Sequence, residues 1–309
     1  VDVVAAPAPT GNGRTVALPD VVVGASTVPA MSETARTAVV LGGGGRWGAV
    51  EVGMLAALSD AGIRPDLIVG TSIGAINGAV FAADPGPAGV ARLRELWREV
   101  SGSDLLAANV FERVRHVARR KVAIQDTAPL RRLLESSLPV RRFDDLPVPF
   151  QCVAASIERA AEHWFEHGDL VPALLASSAV PTLFEPVEIA GEHFYDGGLV
   201  NSVPLDRAVR LGATTVYVLQ VGRIEQPLRP PTKFWEPALV AFEIARRHRF
   251  ATLLDDAPDG VTVHLLPSGN ELDYDDTRQL RWSDLGDTDE LADGAQRAAA
   301  AYLANPSRP

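Results

Sequence analysis

From residue 37 onward, apolar positions fall into short gapless runs that alternate with longer stretches of helical period. The run TAVVL, residues 37–41, is apolar throughout, as expected of a strand covered on both faces. Four glycines follow, and a helical pattern extends from about Trp47 to Ala61. The same order recurs in DLIVGTSIGAINGAVFAA: a buried strand over Asp66–Val69, a sharp turn and a helix of small residues. Helical periods are predicted near 90–100, 111–121 and 127–137, the last with Thr127 as its cap and Pro129 in its first turn. Strands follow at 148–157 and 162–165, then a short helix at 170–178. PVEIAGEHFYDGG reads as a hairpin turning at Ala190 and Gly191. Beyond it come a helix at 204–211, a strand at 214–219, a helix at 235–254, a strand at 261–266 and a helix at 288–303. Strands alternating with helices predict an α/β fold around a mainly parallel sheet.

Residues 1–36 show neither period and are predicted to form an irregular arm, with Met31 a candidate internal start; residues 37–303 are read as one domain. The arm has no basic, compactly apolar leader, and no run of about 18 apolar residues occurs, so a cytoplasmic location is expected. A formal charge of -10 and a pI near 5.1 argue against a nucleic-acid partner. The single cysteine, Cys152, lies in a strand-like run and is expected to be a small buried hydrophobe. The run VFERVRHVARRK, residues 110–121, sets Phe111, Val114 and Val117 among arginines, a pattern of peripheral membrane helices and also of ordinary surface helices.

The glycines of VVLGGGGRWG admit three readings: a phosphate cradle, an oxyanion hole or a tight turn. Gly43, Gly45 and Gly48 satisfy G-x-G-x-x-G. A dinucleotide site also needs an acid at the end of the second strand, where this chain has Gly70-Thr71-Ser72, and no Gly-Lys-Ser/Thr follows the glycines. Bare amides near a helix start, aimed at a developing oxyanion, fit better. Gly70-Thr71-Ser72-Ile73-Gly74 matches G-x-S-x-G between a strand and a helix, the setting of a nucleophilic serine. Asp196, followed by Gly197 and Gly198, has the bare turn that a catalytic base would need, whereas the histidines lie in helical, strand or hairpin contexts. The clusters Asp275-Asp276 and Asp287-Thr288-Asp289-Glu290 lack the spacing of a calcium loop, so no metal is expected.

The stretches GGGGRWG, GTSIGA and DGGLVNSVPLDRA, in that order and with ASSAVPTLFEPV before the last, resemble the patatin-like phospholipase family over about residues 37–220. The resemblance implies a three-layer α/β/α domain with a Ser-Asp dyad and no cofactor. Ser72 would be the nucleophile and Asp196 the base, with Gly43, Gly44 and Gly45 forming the oxyanion hole beside Arg46 and Ile73. Gly70, Gly74, Gly197 and Gly198 would support the two turns. The family's usual basic residue after the glycines falls at Trp47, with Arg46 one position earlier. A lipid ester is the implied substrate; a soluble ester or thioester substrate and a silent lipid-binding scaffold are the alternatives.

Overall fold

The computed structural model describes residues 36–102, 126–181, 183–221, 260–269 and 287–305, together with scattered positions between 228 and 249. Residues 1–35 of the predicted arm, the run 110–121 and most of the predicted helix at 235–254 lie outside the described residues.

Among the described residues, eight strands form one mixed sheet: β1 (Thr37–Leu41), β2 (Leu67–Thr71), β3 (Phe150–Ser156), β4 (Ala161–Phe165), β5 (Val187–Ile189), β6 (Glu192–Asp196), β7 (Thr215–Leu219) and β8 (Thr262–Leu265). Their order is β5-β6-β3-β2-β1-β7-β8, with β4 also paired to β3. The pairs β1–β2, β2–β3, β1–β7 and β7–β8 are parallel, whereas β3–β4, β3–β6 and β5–β6 are antiparallel. The chain thus builds outward from β1 through β2 and β3, then returns to add β7 on β1's other side. This makes β1 the point where the winding reverses, and loops at the carboxyl ends of strands flanking such a point form crevices suited to ligands.

The gapless run 37–41 is explained by burial on both faces. Val39 and Leu41 enter the larger core, with helices α1 (Gly48–Asp60), α2 (Ile73–Ala83), α3 (Pro87–Gly102), α5 (Leu170–Ser177) and α7 (Thr288–Ala304). Ala38 and Val40 face a second core that includes Leu205 and Ala208 of α6 (Leu205–Arg210). Helices therefore cover both faces of the sheet, the three-layer α/β/α arrangement expected. The hairpin turns at Ala190 (φ 53°) and Gly191 (φ 83°) as anticipated.

Helix α4 (Ala128–Ser137) corrects one local expectation. Its Pro129 lies in the first turn, but the Thr127 side chain makes no cap bond, and the Ala128 N–H donates instead to Asp126 Oδ1 at 3.0 Å. Helix α7 packs across α1 so closely that a methyl on Gly53 would stand 1.9 Å from the Ala292 carbonyl oxygen. Its acidic start is structural: Asp287 Oδ1 caps the Asp289 and Glu290 amides at 2.9 and 3.1 Å, and Asp289 pairs with Arg98 at 2.7 Å.

Candidate active site

Two turns meet at the carboxyl ends of β1 and β2. The first runs from Gly42 through a short 3-10 turn at Gly45–Trp47 into α1. The second is Ser72 alone, between β2 and α2, held at φ 55°, ψ -123°. A side chain in that region is strained by roughly 1–3 kcal/mol, and surrounding structure must impose it. The flanking glycines show how. A methyl on Gly70 would lie 2.6 Å from the Gly74 carbonyl oxygen, and one on Gly74 would lie 2.5 Å from that of Leu41. Strand, turn and helix can crowd together only because neither residue carries a side chain.

Ser72 is mostly buried, and its Oγ donates to Asp196 Oδ2 at 2.6 Å. Asp196 is fully buried at the end of β6, paired with Ala154 of β3. Its second oxygen accepts the Gly198 N–H at 2.7 Å, and its own amide donates to the Ala179 carbonyl at 2.9 Å. Gly197 lets this turn hug β3, for a methyl there would meet the Val153 carbonyl oxygen at 2.2 Å. Sequence reasoning missed three further supports. The Ser72 amide donates to Ser177 Oγ at 2.9 Å, and Thr71 Oγ1 donates to the Asn201 carbonyl at 2.8 Å. The Gly43 amide donates to the Ser202 carbonyl at 2.9 Å. None of these partners carries a local signal, because each bond joins segments distant in the chain.

The last bond changes the part expected of Gly43. Its N–H holds the glycine loop to the segment after Asp196 and so is not directed at a ligand. Its missing side chain still matters, since a methyl at Gly43 would stand 3.5 Å from Ser72 Cβ. Gly44 and Gly45 are half-buried, and among the described residues no acceptor takes their amides or that of Ile73, the first residue of α2. These three donors sit at or just before the N-termini of α1 and α2, where partial positive charge favours an anion. Trp47 is 5% exposed and packs into the larger core beneath the loop. The Arg46 side chain lies outside the described residues.

Four of the described histidines engage other partners. His193 pairs with Glu158 at 2.7 Å and His167 with Asp144 at 3.0 Å. His163 packs against Phe165 and Phe194, and burial lowers its pKa. His264 stacks on Tyr217 at 4.8 Å and meets Tyr302 at 3.1 Å. Cys152 is buried, which pushes its thiol far up.

A strained serine bonded to a buried aspartate, beside a glycine turn, coincides with a match to the description "Patatin-like phospholipase" over residues 39–209. The chain belongs to the patatin-like phospholipase family. Human patatin-like phospholipase domain-containing protein 6 is 31% identical over 189 residues, covering 60% of this chain and 13% of that protein. Lysophospholipase nte1 of Aspergillus terreus is 28% identical over 195 residues, 60% of this chain and 12% of its own length. Among solved structures, VipD of Legionella pneumophila has a TM-score of 0.40 and 13% identity, covering 85% of this chain and 67% of that one. This patatin-like chain therefore spans only a small part of the curated relatives it matches. Its family match ends at 209, although the sheet continues to β8 and the larger core includes α7. Among the described residues no helix is long and apolar enough to cross a membrane.

Proposed function

We propose that residues 37–303 form a serine acyl hydrolase domain that cleaves carboxylic ester bonds of lipids through Ser72 and Asp196. The observation that carries this reading is the 2.6 Å bond between Ser72 Oγ and Asp196 Oδ2 at a turn with positive φ. In the first step Asp196 Oδ2 takes the hydroxyl proton as Oγ attacks the ester carbonyl carbon. The amides of Gly44, Gly45 and Ile73 receive the negative charge that develops on the carbonyl oxygen. Collapse of the tetrahedral species breaks the bond to the leaving alcohol, which takes the proton from Asp196. Water then gives up a proton to Asp196, attacks the acyl-enzyme, and releases the fatty acid as the proton returns to Ser72.

The names of the relatives, phospholipase and lysophospholipase, support a phospholipid or lysophospholipid ester as substrate. The basic run 110–121 supports peripheral contact with a lipid surface. The direct test is reaction with a fluorophosphonate, followed by peptide mapping and by assay of fatty-acid release from lysophosphatidylcholine. Labelling confined to Ser72, with turnover lost in Ser72→Ala, is expected. Absence of both labelling and turnover in the folded protein would overturn the reading.

A further inference from the structure

Beneath the two turns lies a polar cluster that the proposed chemistry does not use. Glu51, in the first turn of α1, is fully buried, and its Oε2 accepts from Asn77 Nδ2 of α2 at 2.8 Å. The same nitrogen donates to the Gly48 carbonyl at 2.9 Å, and Asn77 Oδ1 accepts from Trp97 Nε1 of α3 at 3.1 Å. Asn77 thus uses both of its amide protons and its carbonyl oxygen to join three helices. Burial holds the Glu51 carboxyl well above its usual range, against the Asn77 bond and a weaker pull from the Gly42 amide, whose main acceptor is the Leu219 carbonyl at 3.0 Å. A lone acid in GAVEVGMLAAL and a lone amide in IGAINGAVFAA therefore meet in the buried interior.

The position of this cluster gives it a role. Gly48 begins α1 directly behind the glycine turn, and a methyl there would lie 2.4 Å from both the Ile73 side chain and the Trp97 ring. Gly74, one residue further into α2, abuts the carbonyls of Leu41 and Gly42. The start of each helix therefore rests on the segment leading into the other turn, and the Glu51–Asn77 pair lies about one helical turn below them. Apolar side chains also hold these helices together, and the hydrogen bonds add a directional constraint to that packing. Each of these bonds joins α1 or α3 to α2 at a fixed distance and angle.

We infer that Glu51 and Asn77 are positioning residues that set the glycine-turn amides against Ser72. This inference rests on the hydrolase reading above. Its test compares Glu51→Met, Glu51→Gln and Trp97→Phe with the unaltered chain, measuring kcat, KM and thermal melting. The Met side chain fills similar space but accepts no comparable bond. Its kcat should fall about 10- to 100-fold with KM little changed and melting retained, because misplacement of this kind acts on the chemical step. Glu51→Gln keeps a side-chain oxygen that can accept from Asn77 and should restore most of the rate. A folded Glu51→Met with unaltered kcat, or a Glu51→Gln as impaired as the Met variant, would overturn the inference. If the Met variant does not fold, Trp97→Phe removes the Nε1 donor to Asn77 together with the ring atoms packed behind Gly48: a several-fold loss in kcat at constant KM supports the brace, and no loss rejects it. Should the unaltered chain show no Ser72-dependent turnover, the hydrolase reading fails instead.

Discussion

Ser72 Oγ and Asp196 Oδ2 stand 2.6 Å apart although 124 positions separate them in the chain. The aspartate is oriented by the Gly198 amide on its other oxygen, so the carboxylate is held from both sides. The two residues should act as one unit. Ser72→Ala and Asp196→Asn are each expected to lower kcat/KM for ester hydrolysis by about 10⁴-fold or more, and the double variant should be little worse than either alone. Circular dichroism should remain unchanged. Near-normal turnover in either single variant would remove that residue from the mechanism.

The backbone at Ser72 offers a test that does not depend on substrate. In ordinary positions glycine is less stable than alanine by roughly 0.5–1 kcal/mol. At φ 55° the order should reverse, with Ser72→Gly more stable than Ser72→Ala by about 1–3 kcal/mol. Both variants lack the hydroxyl, so their difference isolates the strain. Denaturant unfolding of the pair measures it, and the ordinary order would show that the turn is relaxed.

A conventional triad would need a histidine, and His264 has the closest thing to a suitable strand context. It is engaged with Tyr217 and Tyr302. His264→Ala should leave ester hydrolysis within about two-fold of normal and reduce stability by about 1 kcal/mol through the lost ring contact. A loss of turnover comparable with that of Asp196→Asn would show that the base had been misassigned.

Buried Glu51 makes stability depend on pH in a defined direction. The folded protein retains its proton, while the unfolded chain releases it near the usual value of 4.5. Stability associated with this group is therefore fully present below that value and is lost as pH rises toward the raised folded-state value. Glu51→Gln, which has no proton to lose, should gain on the unaltered protein as pH increases above 4.5, by at most about 1.4 kcal/mol per pH unit. Melting curves of both proteins across pH 4 to 9 make the comparison, scanned at steps of about one unit. A constant difference would mean that the carboxyl does not change its proton affinity on folding.

Much of this molecule is written locally. The gapless strand at 37–41, the glycine turn, the strand-serine-helix unit around Ser72 and the hairpin at Ala190 and Gly191 follow from short-range sterics and periodicity. So does the prominence of Ser72 and Asp196, since each sits among glycines that make sense only where backbone must crowd backbone. Local reading erred where neighbouring residues compete for one task, as when Asp126 supplies the bond expected of Thr127.

The sequence by itself determined the α/β class, the two bare turns and the residue types available for acyl transfer. Only the tertiary structure decided that β7 lies beside β1, that the Gly43 amide is consumed by Ser202, that Ser177 holds the Ser72 amide, and that Glu51 and Asn77 meet under both turns. The reason is physical. Helix and strand periods depend on residues a few positions apart, whereas a hydrogen bond between distant segments exists only after the order of strands in the sheet has brought them together.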